Sequence, residues 1–324
     1  MAVMLLGSMS ACSFRDSLDE CGLYLHFTYD YNMAYADASA REIDRIDVLV
    51  FDADGVYLFT KTADRDYLDS AGYTLSFTQE LSFGSYTFLT WSGLSDDFRL
   101  QDVRARSSEL IAGQTRMDDI RLQMAHDSNG SVTSQLHPVW YGAPQRITYD
   151  PRKGLQTCPV RLVKDTNHFS IALSEDNSSG GGAGELLVYT FEIISKGYDL
   201  YDMNNKPVGQ AELSFLPYSI SSDGDYAQTW GKLTTGRLLE EDTQTLVIRS
   251  AHDNSLLWQT DLIGLLARTK PEDIGTVQEY LDRQDDWSLV FNYKGGTGGT
   301  GGSGFVAVSV VINGWTIWLQ DIDM

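Results

Sequence analysis

No stretch of this 324-residue chain approaches the ~18 consecutive apolar residues that a membrane-spanning helix requires, so any attachment to a bilayer would have to come from a covalent lipid. Basic residues are also scarce. The 24 Lys and Arg stand against 45 Asp and Glu, and the resulting charge of −21 is spread along the chain rather than gathered in a tail. A surface of that sign repels phosphate backbones, which excludes nucleic acid as a partner. Only three cysteines and five histidines occur, with no Cys-x-x-Cys and no His-x-x-x-His pair, so nothing points to a metal. No Gly-x-Ser-x-Gly elbow is present, and acidic residues are too common to single out a catalytic pair. The chain is therefore read as no enzyme, with no cofactor and no small-molecule substrate. What it does have is 42 % hydrophobic residues, enough for two domains of ordinary size, each burying its own core.

The first twelve residues, MAVMLLGSMSAC, have the form of a bacterial lipoprotein signal. A short apolar run (Val3 to Leu6) leads to small Ser10 and Ala11 ahead of Cys12, whose thiol would carry the lipid once residues 1–11 are removed. Two or three acyl chains, at about 0.8 kcal/mol per buried methylene, anchor stably where one would not. No Lys or Arg precedes the apolar run, so the basic start of the signal is expected upstream of Met1. The competing reading is an ordinary buried segment with a free thiol at Cys12. Residues 12–20 are polar and lack periodicity, as a tether would. Cys21 and Cys158 remain as a pair; one disulfide or two separate thiols are equally compatible with their spacing.

Beyond the tether the pattern is strand-like. Leu23, Leu25 and Phe27 alternate with polar neighbours. Ile46, Val48 and Val50 face one way and Asp47, Leu49 and Phe51 the other, up to a hairpin turn at Asp54-Gly55. Tyr73–Phe77, Thr87–Trp91, Val160–Val163, His168–Leu173, Leu186–Phe191, Arg237–Leu239, Thr245–Arg249, Trp287–Tyr293 and Phe305–Ile312 read as further strands, followed by Trp315, Ile317 and Leu319. Helices are expected over Pro271–Asp282 and, shorter, over Asp261–Ala267. Tyr149–Gly154 punctuates the chain and divides it at 150/151 into domains of 21–150 and 151–324. Short strands separated by turn signals indicate an all-β sandwich architecture.

Several segments carry a family resemblance. CGLYLHFTYDYNMAYADA (Cys21 to Ala38), REIDRIDVLVFDADG (Arg41 to Gly55), FGSYTFLTWSGL (Phe83 to Leu94) and VRLVKDTNHFSIAL (Val160 to Leu173) resemble FimB-type fimbrial anchor proteins of Gram-negative anaerobes. GRLLEEDTQTLVIR, VQEYLDRQDDWSLVF and VVINGWTIW match that family's C-terminal half in order and spacing, so the resemblance covers nearly everything after Cys12. It implies two transthyretin-like β-sandwich domains, a lipoprotein exposed on the cell outer membrane, and a partner, the fimbrial shaft subunit, that is held on the cell and limited in length. It implies no enzymatic activity.

Other readings compete locally. Asp52-Ala53-Asp54-Gly55 has the start of a calcium loop, but Val56 and Ala63 stand where ligands are needed, so a hairpin is preferred. The loop Gly295 to Gly304 leads into a strand and lacks Gly-Lys-Ser/Thr, which favours a flexible connection over a phosphate cradle. Tyr24, Tyr29, Tyr31 and Tyr35 could form a glycan platform, making a surface glycan-binding or adhesin lipoprotein the alternative function. Finally, Val306 to Leu319 is the run most easily shared with a shaft subunit by strand pairing. The competing expectation is that it is permanently internal, with Trp315 and Trp318 packing the second core.

Overall fold

The computed structural model describes residues 22–175, 189–223, 228–295 and 305–318. The signal and tether with Cys12 and Cys21, the Gly/Ser loop at 178–184, and residues 296–304 of the later Gly-rich loop lie outside them.

Alternation sets the first strand, β1 (Gly22–Thr28), which buries Leu23, Leu25 and Phe27. After helix α1 (Ser39–Glu42), strands β2 (Arg45–Phe51) and β3 (Tyr57–Asp64) form the expected hairpin, with Gly55 at φ 73°. The Asp52 carboxylate accepts the N–H groups of Asp54 and Val56, both at 2.9 Å, so it holds the turn. Helix α2 (Arg65–Ser70), capped by Asp64, leads to β4 (Thr74–Ser76) and β5 (Gly84–Ser92). Next come β6 (Phe98–Asp102), β7 (Ile120–Met124), β8 (Ser131–Val132), β9 (Trp140–Tyr149) and β10 (Leu155–Lys164). The remainder contains β11 (Asn167–Glu175), β12 (Tyr189–Lys196), β13 (Leu200–Tyr201), β14 (Glu212–Phe215), β15 (Ser219–Asp223), β16 (Gln228–Thr235), β17 (Thr245–Ser250) and β18 (Leu256–Asp261). Two helices, α3 (Leu262–Ala267) and α4 (Val277–Arg283), precede β19 (Asp286–Gly295), β20 (Phe305–Ile312) and β21 (Trp315–Trp318). The fold is all-β, with four short α-helices among the described residues.

The first body is a seven-stranded sheet ordered β3-β2-β5-β9-β10-β1-β4. Its two ends share one core: Leu23, Leu25, Leu75 and Val160 from one side meet Ile46, Val48, Val50 and Phe88 from the other. The opposite face of β2 and β5 is also buried. Leu49, Phe51, Leu89 and Trp91 join the second core with Phe98, Leu122, Phe191 and Trp287. The second body pairs a six-stranded sheet, β15-β16-β11-β19-β20-β21, with a five-stranded one, β18-β17-β12-β14-β8, while β13-β7-β6 make a small third sheet.

The turn at 150–154 connects two strands of the same first sheet, β9 and β10, and the chain enters the six-stranded sheet with β11, after Lys164. Before that, β8 has already crossed to pair with β14. Arg237–Leu239, expected as a strand, is a loop. Leu238 and Leu239 are buried, but side chains take the backbone: Gln278 Nε2 donates to the Leu238 carbonyl at 3.1 Å. The helix expected from Pro271 begins later, at Val277. Thr276 Oγ1 accepts the Glu279 N–H at 3.0 Å, and this cap, rather than the proline, sets the start.

Candidate interaction edge

The last three strands are built by simple means. β19 runs parallel to β11 and antiparallel to β20, and Leu289, Phe291, Val310 and Ile312 are fully buried on one face. Asn313-Gly314, at φ 48° and 89°, then forms a tight turn whose backbone suits Asn-Gly. Asn313 fixes it by donating its N–H to the Ser288 carbonyl at 3.0 Å, while its Oδ1 accepts the Ser288 N–H at 2.9 Å.

β21 returns along β20, with Ile312 opposite Trp315 and Val310 opposite Ile317, and ends the sheet. No strand pairs with its outer side among the described residues. Ile317 is buried, but Trp315 and Trp318 are 64 % and 58 % exposed. The expectation that both tryptophans pack the second core is thus corrected: Trp318 lies on the face opposite Ile317, and Trp315, although on the same face as Ile317, sits where the strand leaves the turn and keeps most of its indole in solvent. Soluble proteins guard exposed edges with charge, proline or bulges. The segment Trp-Thr-Ile-Trp carries none of these. Among the described residues its outer backbone edge is unpaired and its two indoles are exposed, the arrangement expected of a main-chain docking site.

Of the four clustered tyrosines, Tyr24 is half-buried on β1 and the other three make contacts within the fold. Tyr29 is buried edge-on to Trp140, with ring centroids 6.0 Å apart, and burial pushes its hydroxyl pKa upward. Tyr31 and Tyr35 sandwich the Arg283 guanidinium, whose carbon lies 4.2 and 4.3 Å from their ring centroids. Arg283 also donates to the Asp30 and Asn32 carbonyls and, through Nε, to Glu279 at 2.9 Å. The loop that reads as an aromatic platform is therefore a clamp between the first sheet and α4. Lys164 strengthens the same seam: it pairs with Glu42 at 3.3 Å and with Asp285, and its ammonium lies 5.5 Å from the Trp140 ring centroid.

Behind the seam, in the link between β10 and β11, Asp165 is fully buried. One of its oxygens accepts the Asn205 amide at 2.8 Å and lies 4.0 Å from Arg237 Nε; the other has no hydrogen-bond partner among the described residues. Arg237 instead grips Asp282 through two 2.8 Å bonds. Burial outweighs the guanidinium and pushes the Asp165 carboxyl up to about 7. Cys158, opposite Leu25 and 3.7 Å from Gln145 Oε1, has no disulfide partner among the described residues, Cys21 lying outside them, and burial raises its thiol pKa. Among the described residues no three His, Cys, Asp or Glu side chains are grouped to hold a metal.

The profile of the fimbrillin-A associated anchor proteins Mfa1 and Mfa2 matches residues 18–321. The minor fimbrium anchoring subunit Mfa2 of Porphyromonas gingivalis is 21 % identical over 358 aligned positions, spanning 100 % of this chain and 95 % of the relative. Among solved structures, a candidate adhesin from Bacteroides ovatus is 32 % identical with a TM-score of 0.83, covering 96 % of this chain and 99 % of its own. The fimbrial anchor protein Mfa2 of P. gingivalis shares the fold at a TM-score of 0.68 and 18 % identity, covering 92 % of this chain and 98 % of its own.

Proposed function

The chain belongs to the family of fimbrillin-A associated anchor proteins Mfa1 and Mfa2, and from that premise we propose that it is an outer-membrane lipoprotein that holds a fimbrial shaft on the cell and limits its length. Cys12 carries the lipid after removal of residues 1–11, residues 12–20 act as the tether, and the β-sandwich bodies stand outside the membrane. The shaft subunit is held at β21. The observation that carries this reading is an edge strand unpaired among the described residues and carrying two exposed tryptophans. Pairing there supplies a row of main-chain hydrogen bonds without unfolding the core, because Val310 and Ile312 on β20 stay in place.

Deleting the gene tests the role: fimbriae longer than normal and shed into the medium support an anchor. Normal, cell-bound fimbriae with lost glycan adhesion would instead favour an adhesin. Cys12→Ser tests the lipid separately, since incorporation of a labelled fatty acid should fall to background; unchanged incorporation would refute it.

A further inference from the structure

The four most exposed of the large apolar side chains, among the described residues, fall into two pairs. One is Trp315 and Trp318 on β21. The other is Phe83 and Leu155, 63 % and 61 % exposed, which the edge strand does not explain. We propose that Phe83, Leu155 and the turn between β9 and β10 seat this end of the first sheet on the surface of the bilayer that holds the protein's own lipid.

Four observations place them there. Gly84, next to Phe83, lies opposite Tyr149, and the turn Asp150–Gly154 follows directly. Leu155, which begins β10, is in register with Gly22, and Gly22 donates its N–H to the Gly154 carbonyl at 3.3 Å. Phe83 and Leu155 thus lie at the end of the sheet from which the chain runs back toward Cys12. Phe83, Asp150, Pro151 and Arg152 line one shallow hollow, with the Arg152 guanidinium 5.8 Å from the Phe83 ring centroid.

Charge agrees with this placement. In a chain of net charge −21, this turn carries Arg152 and Lys153 against the single Asp150, which Arg152 engages through two bonds of 2.8 and 2.9 Å. Lys153 is exposed. The acidic turn at Asp52 and Asp54 is at the same end but belongs to the hairpin of β2 and β3, three strands away from β10 in sheet order. Apolar side chains rimmed by Arg and Lys are the composition that settles into the headgroup and acyl boundary.

Tether length makes the contact effective. Whatever path residues 13–21 take, nine residues reach at most roughly 30 Å, and a flexible chain of that length averages roughly 17 Å end to end. Lipid on Cys12 therefore holds this end next to the bilayer, and even a weak surface contact is populated at such an effective concentration. The consequence is a fixed attitude of the anchor on the membrane in place of free swivelling about the tether. This inference rests on the acylation of Cys12 proposed above.

The test is hydrogen–deuterium exchange on the full acylated chain, bound to vesicles of phosphatidylethanolamine and phosphatidylglycerol and compared with the unacylated Cys12→Ser chain in solution. Flotation with the vesicles reports acylation independently. The expected result is flotation together with roughly tenfold slower exchange over residues 82–84 and 151–155, lost in a Phe83→Asp, Leu155→Asp variant that still floats. A wild-type chain that floats with unchanged exchange at these residues overturns the seating and leaves the anchoring intact. A chain that does not float overturns both.

Discussion

Replacing Asp165 by Asn should remove a pH dependence from the stability of the fold. Asp165 is fully buried with one oxygen unpartnered, and its carboxyl stands at about 7 in the fold against an ordinary 3.8. Below 3.8 the carboxyl is protonated in both states and contributes no difference. Between that value and about 7 the folded state keeps a proton that the unfolded state has lost, so stability falls as pH rises, and above about 7 the loss is complete. At 1.36 kcal/mol per unit, the gap corresponds to a total on the order of 4 kcal/mol. Asn is neutral throughout, and its oxygen can keep the bond from Asn205. Other carboxylates titrate in the opposite sense; Asp37 and Asp102, for example, sit below their ordinary value because hydrogen bonds favour the ionised form. The informative quantity is therefore the difference between wild type and variant in urea unfolding from pH 4.5 to 8. Asp165→Asn should gain on the wild type steadily across that range and level off near pH 8. Parallel curves would refute the argument, because they would mean that Arg237 keeps Asp165 ionised.

Further substitutions test the seam, the edge and its turn. Arg283→Ala removes a stacked guanidinium and its charged hydrogen bonds, and should cost roughly 2–4 kcal/mol in urea unfolding; Arg283→Lys, which keeps the charge but not the plane, should recover less than half, and a full recovery would show that stacking contributes nothing. Ile317→Ala should cost about 2 kcal/mol or more because its side chain is buried, whereas Trp315→Ala with Trp318→Ala should stay within about 0.5 kcal/mol of wild type; equal losses would mean that the indoles are packed after all. Gly314→Ala, at φ 89°, should cost about 1 kcal/mol in the same assay through backbone strain alone, since nothing lies within 4 Å of the added methyl; no cost would mean that the turn is not held.

What the sequence shows depends on how local the cause is. β1, β2 and β19 are legible because period-two alternation is written within each strand, and the hairpin between β2 and β3 is signalled locally by Asp54-Gly55. β9 escapes because Gly142-Ala143-Pro144 interrupts its alternation, and its pairing with β5 slips between Phe88 and Thr90. β10 starts at Leu155, earlier than its apolar residues suggest, because Leu155 and Thr157 face outward. The role of the tyrosines is not legible at all: the residue that fills the space between Tyr31 and Tyr35 is Arg283, about 250 positions later in the chain. The same holds for Asp165, whose partner set is gathered from Asn205, Arg237 and Asp282 only by the fold. At the candidate edge, the strand itself is readable, but tryptophan alone predicts burial; that β21 is the last strand of its sheet, and so leaves Trp315 and Trp318 in solvent, is a fact of topology.

The most direct test of the anchoring edge is fimbrial retention in cells whose only copy of this chain carries Thr316→Pro. The proline removes an N–H and disfavours regular pairing in the middle of β21, while β20 and the core behind it remain. With the variant present on the cell surface at wild-type level, the account predicts that fimbriae are found in the medium rather than on the cells. Fimbriae retained on the cells at normal length would contradict it.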